Sequence, residues 1–348
     1  MYSVFVTGGA GFIGSNFVHH LLKTFPGMRV VVFDKLTYAG NLENIADLIQ
    51  HPRFTFVQGD ICDAHAVQAA MQGCIGVVHF AAETHVDRSI ADPTMFVHTD
   101  IEGTFTLLET ARMLGVERFI HISTSEVYGN ALSPEGVSRP SLETDALKPL
   151  SPYAASKAGA DCLAYSYWTT YGVPVVITRG ANNYGPYQYP EKQLPLFITN
   201  ALAGRPLPVY GNGEQTRDWI YVEDHCAALG ALLTAPVEQV IGEVFNISVG
   251  EERSSMHNAL EVVEKLGAPI DHIAHVPDRL GHATRIAVDA SKLRTRLNWE
   301  PRVHFQDGLA QTIAWYRDHP VWLEHVLARR DAFLERALGT KQIHSAQS

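Results

Sequence analysis

Along the first half of the chain, short apolar runs rich in β-branched residues alternate with longer stretches whose apolar residues recur every three or four positions. The short runs are Val4 to Thr7, Val30 to Phe33, Phe54 to Gln58, Gly76 to Phe80, Phe119 to Ser123 and Val175 to Arg179. Near-continuous apolar character is the mark of strands covered on both faces. Between them Ile13 to Thr24, Ile101 to Leu114 and Pro152 to Tyr171 carry helical spacing,. Strand, crossover helix and strand in repetition predicts an α/β fold, a doubly wound parallel sheet with helices on both faces.

The pattern changes after about Gly185. Pro186, Pro190, Pro195, Pro206 and Pro208 cut the chain into short pieces, and helical periodicity returns near Val222 to Leu233 and Met256 to Leu266. This predicts a large unit over residues 1–185, joined by some later segments, and a smaller C-terminal α/β unit over 186–335,. Residues 336–348 lack apolar periodicity and read as a frayed tail,.

Directly after the first strand stands Thr7-Gly8-Gly9-Ala10-Gly11-Phe12-Ile13-Gly14, opening the first helix. Gly8 and Gly11 let the backbone turn tightly against a pyrophosphate, Gly14 lets helix and strand pack closely, and the free amides of the helix start face the anion. Asp34 ends the second strand 20 positions after Gly14, the spacing at which a carboxylate accepts from both hydroxyls of an adenosine ribose,. It repels a 2′-phosphate, so the expected cofactor is NAD rather than NADP, with the neighbouring Lys35 arguing the other way. Asp60, after the third strand, reads equally as an adenine contact or a turn aspartate.

Tyr153 and Lys157 lie four apart in Ser151-Pro152-Tyr153-Ala154-Ala155-Ser156-Lys157, on a helix that begins at Pro152,. Both therefore project from one face. A lysine cation beside a phenol is expected to lower its pKa and make it a base near neutral pH. Alone, such a pair is usually a solvated helix face; behind a dinucleotide-binding loop, and with Ser123-Thr124 at the end of the fifth strand, it reads as catalytic.

Composition adds exclusions. A net charge of -10 argues against a nucleic-acid phosphate reader but not against an anionic small ligand, which needs only a few local donors,. Cys62, Cys74, Cys162 and Cys226 are widely spaced, which suggests neither a disulfide framework nor a zinc cluster and fits a reducing cytoplasm,. No stretch reads as a membrane span or a leader. His79 with His85, and His272 with His275, lack the carboxylates or thiols of a metal site, so no metal is expected.

With these motifs the chain resembles the extended short-chain dehydrogenase/reductases, and among them the nucleotide-sugar 4,6-dehydratases, most closely the dTDP-glucose type. The resemblance runs from about residue 3 to 317 and is carried further by Asp34-Lys35-Leu36-Thr37-Tyr38-Ala39-Gly40-Asn41, Ala81-Ala82-Glu83-Thr84-His85-Val86-Asp87, Asn182-Asn183-Tyr184-Gly185-Pro186 and Arg217-Asp218-Trp219. It implies a Rossmann unit that binds NAD through Gly8, Gly11, Phe12, Ile13, Gly14, Asp34, Lys35, Thr37, Gly40, Asp60, Ile61, Ala81, Ala82, Thr99, Tyr153 and Lys157. It also implies a smaller nucleotide-sugar-binding unit, with Thr84, His85, Asn182, Glu191, Lys192, Val209, Tyr210, Arg217, Asn246, Arg279 and His282 around the substrate. Arg217 and Arg279 suit a diphosphate because guanidinium forks match its oxygens.

The implied cycle gives Thr124 the sugar O4, Tyr153 the O4 proton as hydride leaves C4 for NAD, and Glu126 the C5 proton; water leaves C6 and hydride returns there. One departure bears on the outcome. The resembling enzymes mostly read Thr-Asp-Glu, the aspartic acid protonating the departing hydroxyl, whereas this chain reads Thr124-Ser125-Glu126. Serine is far too weak an acid to replace it, yet Ser125, just past a strand end that points at the nicotinamide, is expected among the catalytic residues facing the sugar rather than away from it. Either Glu126 delivers the C5 proton to the leaving group, as the Thr-Ser-Glu of GDP-mannose 4,6-dehydratases implies, or the enzyme is a C4 epimerase or a nucleotide-glucuronate decarboxylase. A decarboxylase needs a cation at C6 that the sequence does not reveal. A non-catalytic NAD-binding protein is disfavoured by the intact Tyr153 and Lys157.

Other departures are Thr84 for serine, Asp100 for asparagine and Arg179 for asparagine. The family pairs the helices around Ile101 to Leu114 and Pro152 to Tyr171 into a homodimer, and apolar residues there are compatible with that.

Overall fold

The computed structural model describes residues 2–132 and 135–329; the tail expected from residue 336 lies outside them. The six apolar runs form β1 (Tyr2–Thr7), β2 (Met28–Asp34), β3 (Phe54–Gln58), β4 (Gly76–His79), β5 (Arg118–Thr124) and β6 (Val175–Gly180). The second half adds β7 (Asn182–Tyr184), β8 (Leu207–Tyr210), β9 (Thr216–Tyr221), β10 (Val244–Ile247), β11 (Glu252–Ser254), β12 (Ile273–Val276) and β13 (Arg285–Ile286). A seven-stranded sheet runs β10-β6-β5-β4-β1-β2-β3, parallel throughout.

Alternation along β1 shows why both faces are apolar. Val4 and Val6 pack with Phe17 and Leu21 of helix Phe12–Thr24 and with Leu229 and Leu232 of helix Val222–Thr234. Phe5 points the other way, among Met71, Leu107 and Ala164 of helices Ala64–Met71, Thr104–Leu114 and Pro152–Tyr171. The helix predicted to begin at Ile101 starts earlier, in a π-helical turn over Val97–Gly103 that runs into Thr104. Helix Pro152–Tyr171 begins as its sequence dictates: the Ser151 side chain accepts from the Ala154 amide, Pro152 sits at its start, and left-handed Gly172 (φ 70°) ends it,.

Outside the large sheet, β9 pairs with β7, β11 and β13, and β8 pairs with β12. These elements and helices Gln193–Leu202, Ser255–Leu266 and Phe305–Asp318 enclose a second core around Tyr184, Phe197, Trp219 and Tyr316. In the large sheet the chain winds from β1 through β2 to β3, then returns to β4 on the other side of β1. The crevice beyond the carboxyl ends of β1 and β4 is therefore the topological switch point, where open α/β sheets bind ligands.

Candidate active site

A single pocket opens at that crevice, and its wall starts at the glycine loop. Gly8 has φ +67°, and a Cβ there would stand 2.6 Å from the Ala81 nitrogen. At Gly14 a Cβ would collide with the Gly8 carbonyl. Ser15 makes the first intrahelical bond, to Gly11 O at 3.0 Å, so the amides of Phe12, Ile13 and Gly14 have no helical acceptor and suit a pyrophosphate,.

Asp34 fixes this loop. One carboxyl oxygen accepts from Ala10 N at 2.9 Å and the other from Leu36 N at 2.8 Å, while burial pushes its pKa up. Lys35 is paired with Asp60 at 2.5 Å, which occupies the cation that argued for NADP. Asp60 is a turn aspartate, accepting from Cys62 N at 3.0 Å, and does not line the pocket. Thr37, Gly40, Ile61, Ala81, Ala82 and Thr99 do line it. A glycine cradle that no Cβ can enter, free first-turn amides and a carboxylate at the far end fit a dinucleotide.

Further along the pocket the catalytic candidates converge. Thr124, Glu126, Tyr153 and Lys157 all line it. Lys157 is fully buried and donates to Ile122 O at 2.8 Å; burial drives its pKa down, and Asp100 and Asp161 draw it back up. The phenol of Tyr153 corrects the sequence expectation. Burial pushes its pKa up, Glu126 and Asp100 add to this, and the Thr124 hydroxyl alone draws it down. Lys157 turns its ammonium to the Ile122 carbonyl rather than making a hydrogen bond to the phenol.

Ser125 is a second correction. β5 ends at Thr124, and a 3-10 turn over Ser125–Tyr128 begins, capped by the Thr124 hydroxyl, which accepts from Glu126 N. Ser125 is buried and not part of the pocket wall, while Glu126 is.

At the substrate end, Thr84, His85, Asn182, Glu191, Lys192, Arg217, Arg279 and His282 line the same pocket. Lys192 donates to the Thr84 carbonyl, and both it and Arg217 are half-buried. Burial lowers the pKa of both, and the charge of Glu126 raises both, so that both cations lie in the field of Glu126. Glu191 is held by Arg88 at 2.7 Å, and Arg88 stacks on Tyr38 at 3.7 Å.

Three expected ligands lie elsewhere. Asn246 is fully buried in β10, its amide donating to Ser141 O and Asp289 O and accepting from Tyr128. Val209 is a core residue of the smaller part. Tyr210 stands beside the wall: its hydroxyl donates to Asp87 at 3.2 Å and Arg279 stacks on its ring at 4.5 Å.

Sequence reasoning missed the support behind Lys157. Asp161, four residues further along the same helix face, pairs with Arg179 at 2.8 Å and stands 3.3 Å from His121 Nε2. Its position eight residues after Tyr153 was the available signal. Among the described residues no cluster suits a metal ion, and no helix is long and apolar enough to cross a membrane.

Fold and site together define an NAD-dependent enzyme of the extended short-chain dehydrogenase/reductase class. More narrowly, the chain belongs to the GDP-mannose 4,6 dehydratase family, whose model matches residues 5–312. It is 48% identical to a dTDP-glucose 4,6-dehydratase of Streptomyces niveus, covering 92% of this chain and 94% of the relative. It superposes with a TM-score of 0.89 on the DesIV dTDP-glucose 4,6-dehydratase of Streptomyces venezuelae, solved with NAD and TYD bound, at 45% identity over 93% and 99% of the two chains. A UDP-glucuronic acid 4-epimerase of Bacillus cereus is also similar, at 31% identity, TM-score 0.83 and 91% and 99% coverage.

Proposed function

We propose that this protein is an NAD-dependent 4,6-dehydratase of a nucleotide-activated hexose, dTDP-glucose by the names of its relatives, and that it makes the 4-keto-6-deoxy sugar. The observation that carries the reading is the convergence of Thr124, Glu126 and Tyr153 on one pocket whose other end is a dinucleotide cradle. Thr124 holds the sugar O4 and Tyr153 takes its proton. Bound NAD supplies the hydride acceptor and, later, the hydride donor. Glu126 removes the C5 proton made acidic by the 4-ketone and, with Ser125 turned into the protein, itself delivers a proton to the departing C6 hydroxyl. Lys192, Arg217 and Arg279 bind the diphosphate.

Mass spectrometry after incubation with dTDP-glucose is expected to show a product lighter by one water, with deuterium moved from C4 to C6. An unchanged mass overturns the reading. The likeness to a UDP-glucuronic acid 4-epimerase favours C4 epimerisation as the second reading, tested by C4 inversion of UDP-glucose; carbon dioxide release from UDP-glucuronate in the same assay tests decarboxylation.

The homodimer belongs to this proposal as well. Phe105, Met113 and Tyr165 are exposed on helices Thr104–Leu114 and Pro152–Tyr171, as an uncovered pairing face requires,. Four free cysteines support placement in a reducing cytoplasm,.

A further inference from the structure

Asp100 sits in the π-helical turn Val97–Gly103 and is 1% exposed. One carboxyl oxygen accepts from Glu83 N at 2.8 Å and the other stands 2.6 Å from Ser156 Oγ. Glu83 belongs to the pocket loop after β4, and Ser156 immediately precedes Lys157. This one carboxyl thus ties the cofactor loop to the helix that carries the catalytic pair.

Two protonation states fit this cluster. Ser156 has a single hydroxyl hydrogen but two acceptors in reach, Asp100 at 2.6 Å and the Tyr153 carbonyl at 2.8 Å,. A protonated Asp100 donates to Ser156 Oγ and frees the serine hydrogen for Tyr153, so that both contacts become hydrogen bonds. Burial favours the same state: it raises the Asp100 pKa to about 6, although Lys157, Ser156 and the Glu83 amide draw it down.

The charged and titratable groups around it are few. From helix Pro152–Tyr171 come Lys157, Tyr153 and, beyond Lys157, Asp161. From the loop after β4 comes Glu83, itself raised by burial and by Asp100, with Arg88 and Lys35 opposing. His79 and His121 lie behind Lys157 in β4 and β5.

We propose that Asp100 is a positioning residue that exchanges a proton at its Ser156-facing oxygen and thereby sets the charge felt by Tyr153 and Lys157. Ionised, it stabilises the Lys157 ammonium and opposes a Tyr153 phenolate; protonated, it leaves the ammonium to favour the phenolate. This rests on reading Tyr153 as the C4 base and deepens it. Asparagine at this position keeps both hydrogen bonds, since its amide donates to Ser156 and its carbonyl accepts from Glu83. Asp100→Asn therefore removes the charge alone.

The test is an ultraviolet phenolate titration of the NAD holoenzyme, taken as the difference from Tyr153→Phe, in wild-type and Asp100→Asn backgrounds, together with the pH profile of dehydration. Loss of a buried anion is expected to lower the Tyr153 midpoint by about one pH unit and to move the acid limb of the profile equally, a gain of about tenfold in relative rate on that limb. Coincident curves, or an alkaline shift, overturn the proposal and leave Asp100 a clamp only. Ser156→Ala removes the hydroxyl that favours the ionised form and is expected to shift both curves the same way by less. Should Asp100→Asn not fold, an unmoved Ser156→Ala profile overturns the proposal by itself. Failure of the underlying reading has a separate signature, a Tyr153→Phe enzyme that still dehydrates.

Discussion

Ser125 and Glu126 are neighbours that face different ways, and the chemistry after the 4-ketone follows from that. Glu126→Gln is expected to leave C4 oxidation intact while lowering dehydration by about 10²–10⁴-fold, the usual worth of a proton-transfer group. Accumulated reduced nicotinamide, read by its absorbance, with no loss of water in the product mass, is the signature. Ser125→Ala, by contrast, is expected to change turnover by no more than about threefold, since its side chain touches the packing and not the sugar. Asp100 has a stability consequence with a definite sign. Its pKa is raised in the fold, so the fold prefers the protonated form and loses stability as pH rises from near 3.8 through about 6,. Asp100→Asn is therefore expected to raise Tm at pH 8 by more than at pH 5, within a ceiling of about 3 kcal/mol. Tyr153 and Lys157 were legible in the sequence because four residues make one helix turn. The direction of Ser125 was not, because β5 gives way to a 3-10 turn at that residue and strand alternation stops applying.

Helix Pro152–Tyr171 carries three functional layers on one stripe: the phenol of Tyr153, the ammonium of Lys157 and the carboxylate of Asp161. Asp161 is fully buried, and although burial opposes its charge, His121 and Arg179 outweigh that. Breaking the pair by Arg179→Met is expected to destabilise the protein by about 3–5 kcal/mol, measured by urea unfolding. At the other end of the site, Gly14→Ala drives a methyl against the Gly8 carbonyl and is expected to weaken NAD binding at least about tenfold, some 1.4 kcal/mol, read from the NAD that copurifies,. Six of the seven strands were legible because both sheet faces are buried and the runs are long. β10 was not, being four residues lying among helices and turns. Asn246 went astray with it: its register opposite Arg179 places it inside the large sheet rather than at the pocket.

For the whole molecule, the proposed pairing through the exposed Phe105 and Met113 predicts a dimer in sedimentation that Phe105→Asp with Met113→Asp converts to a monomer, with the NAD site unchanged. The chain path has a further consequence. After β6 it leaves the large sheet for β7 through β9, comes back as helix Val222–Thr234 against helix Phe12–Thr24 and as β10 beside β6, and departs again for the smaller core. The part proposed to recognise the sugar is thus not a detachable cassette. Exchanging everything after residue 185 for the corresponding region of a relative also exchanges the lid over Phe17 and Leu21 beneath the cofactor. On the proposed reading, substrate preference is inherited together with the packing beneath the first helix, and graft boundaries that respect the chain's returns are expected to fold where a single cut does not.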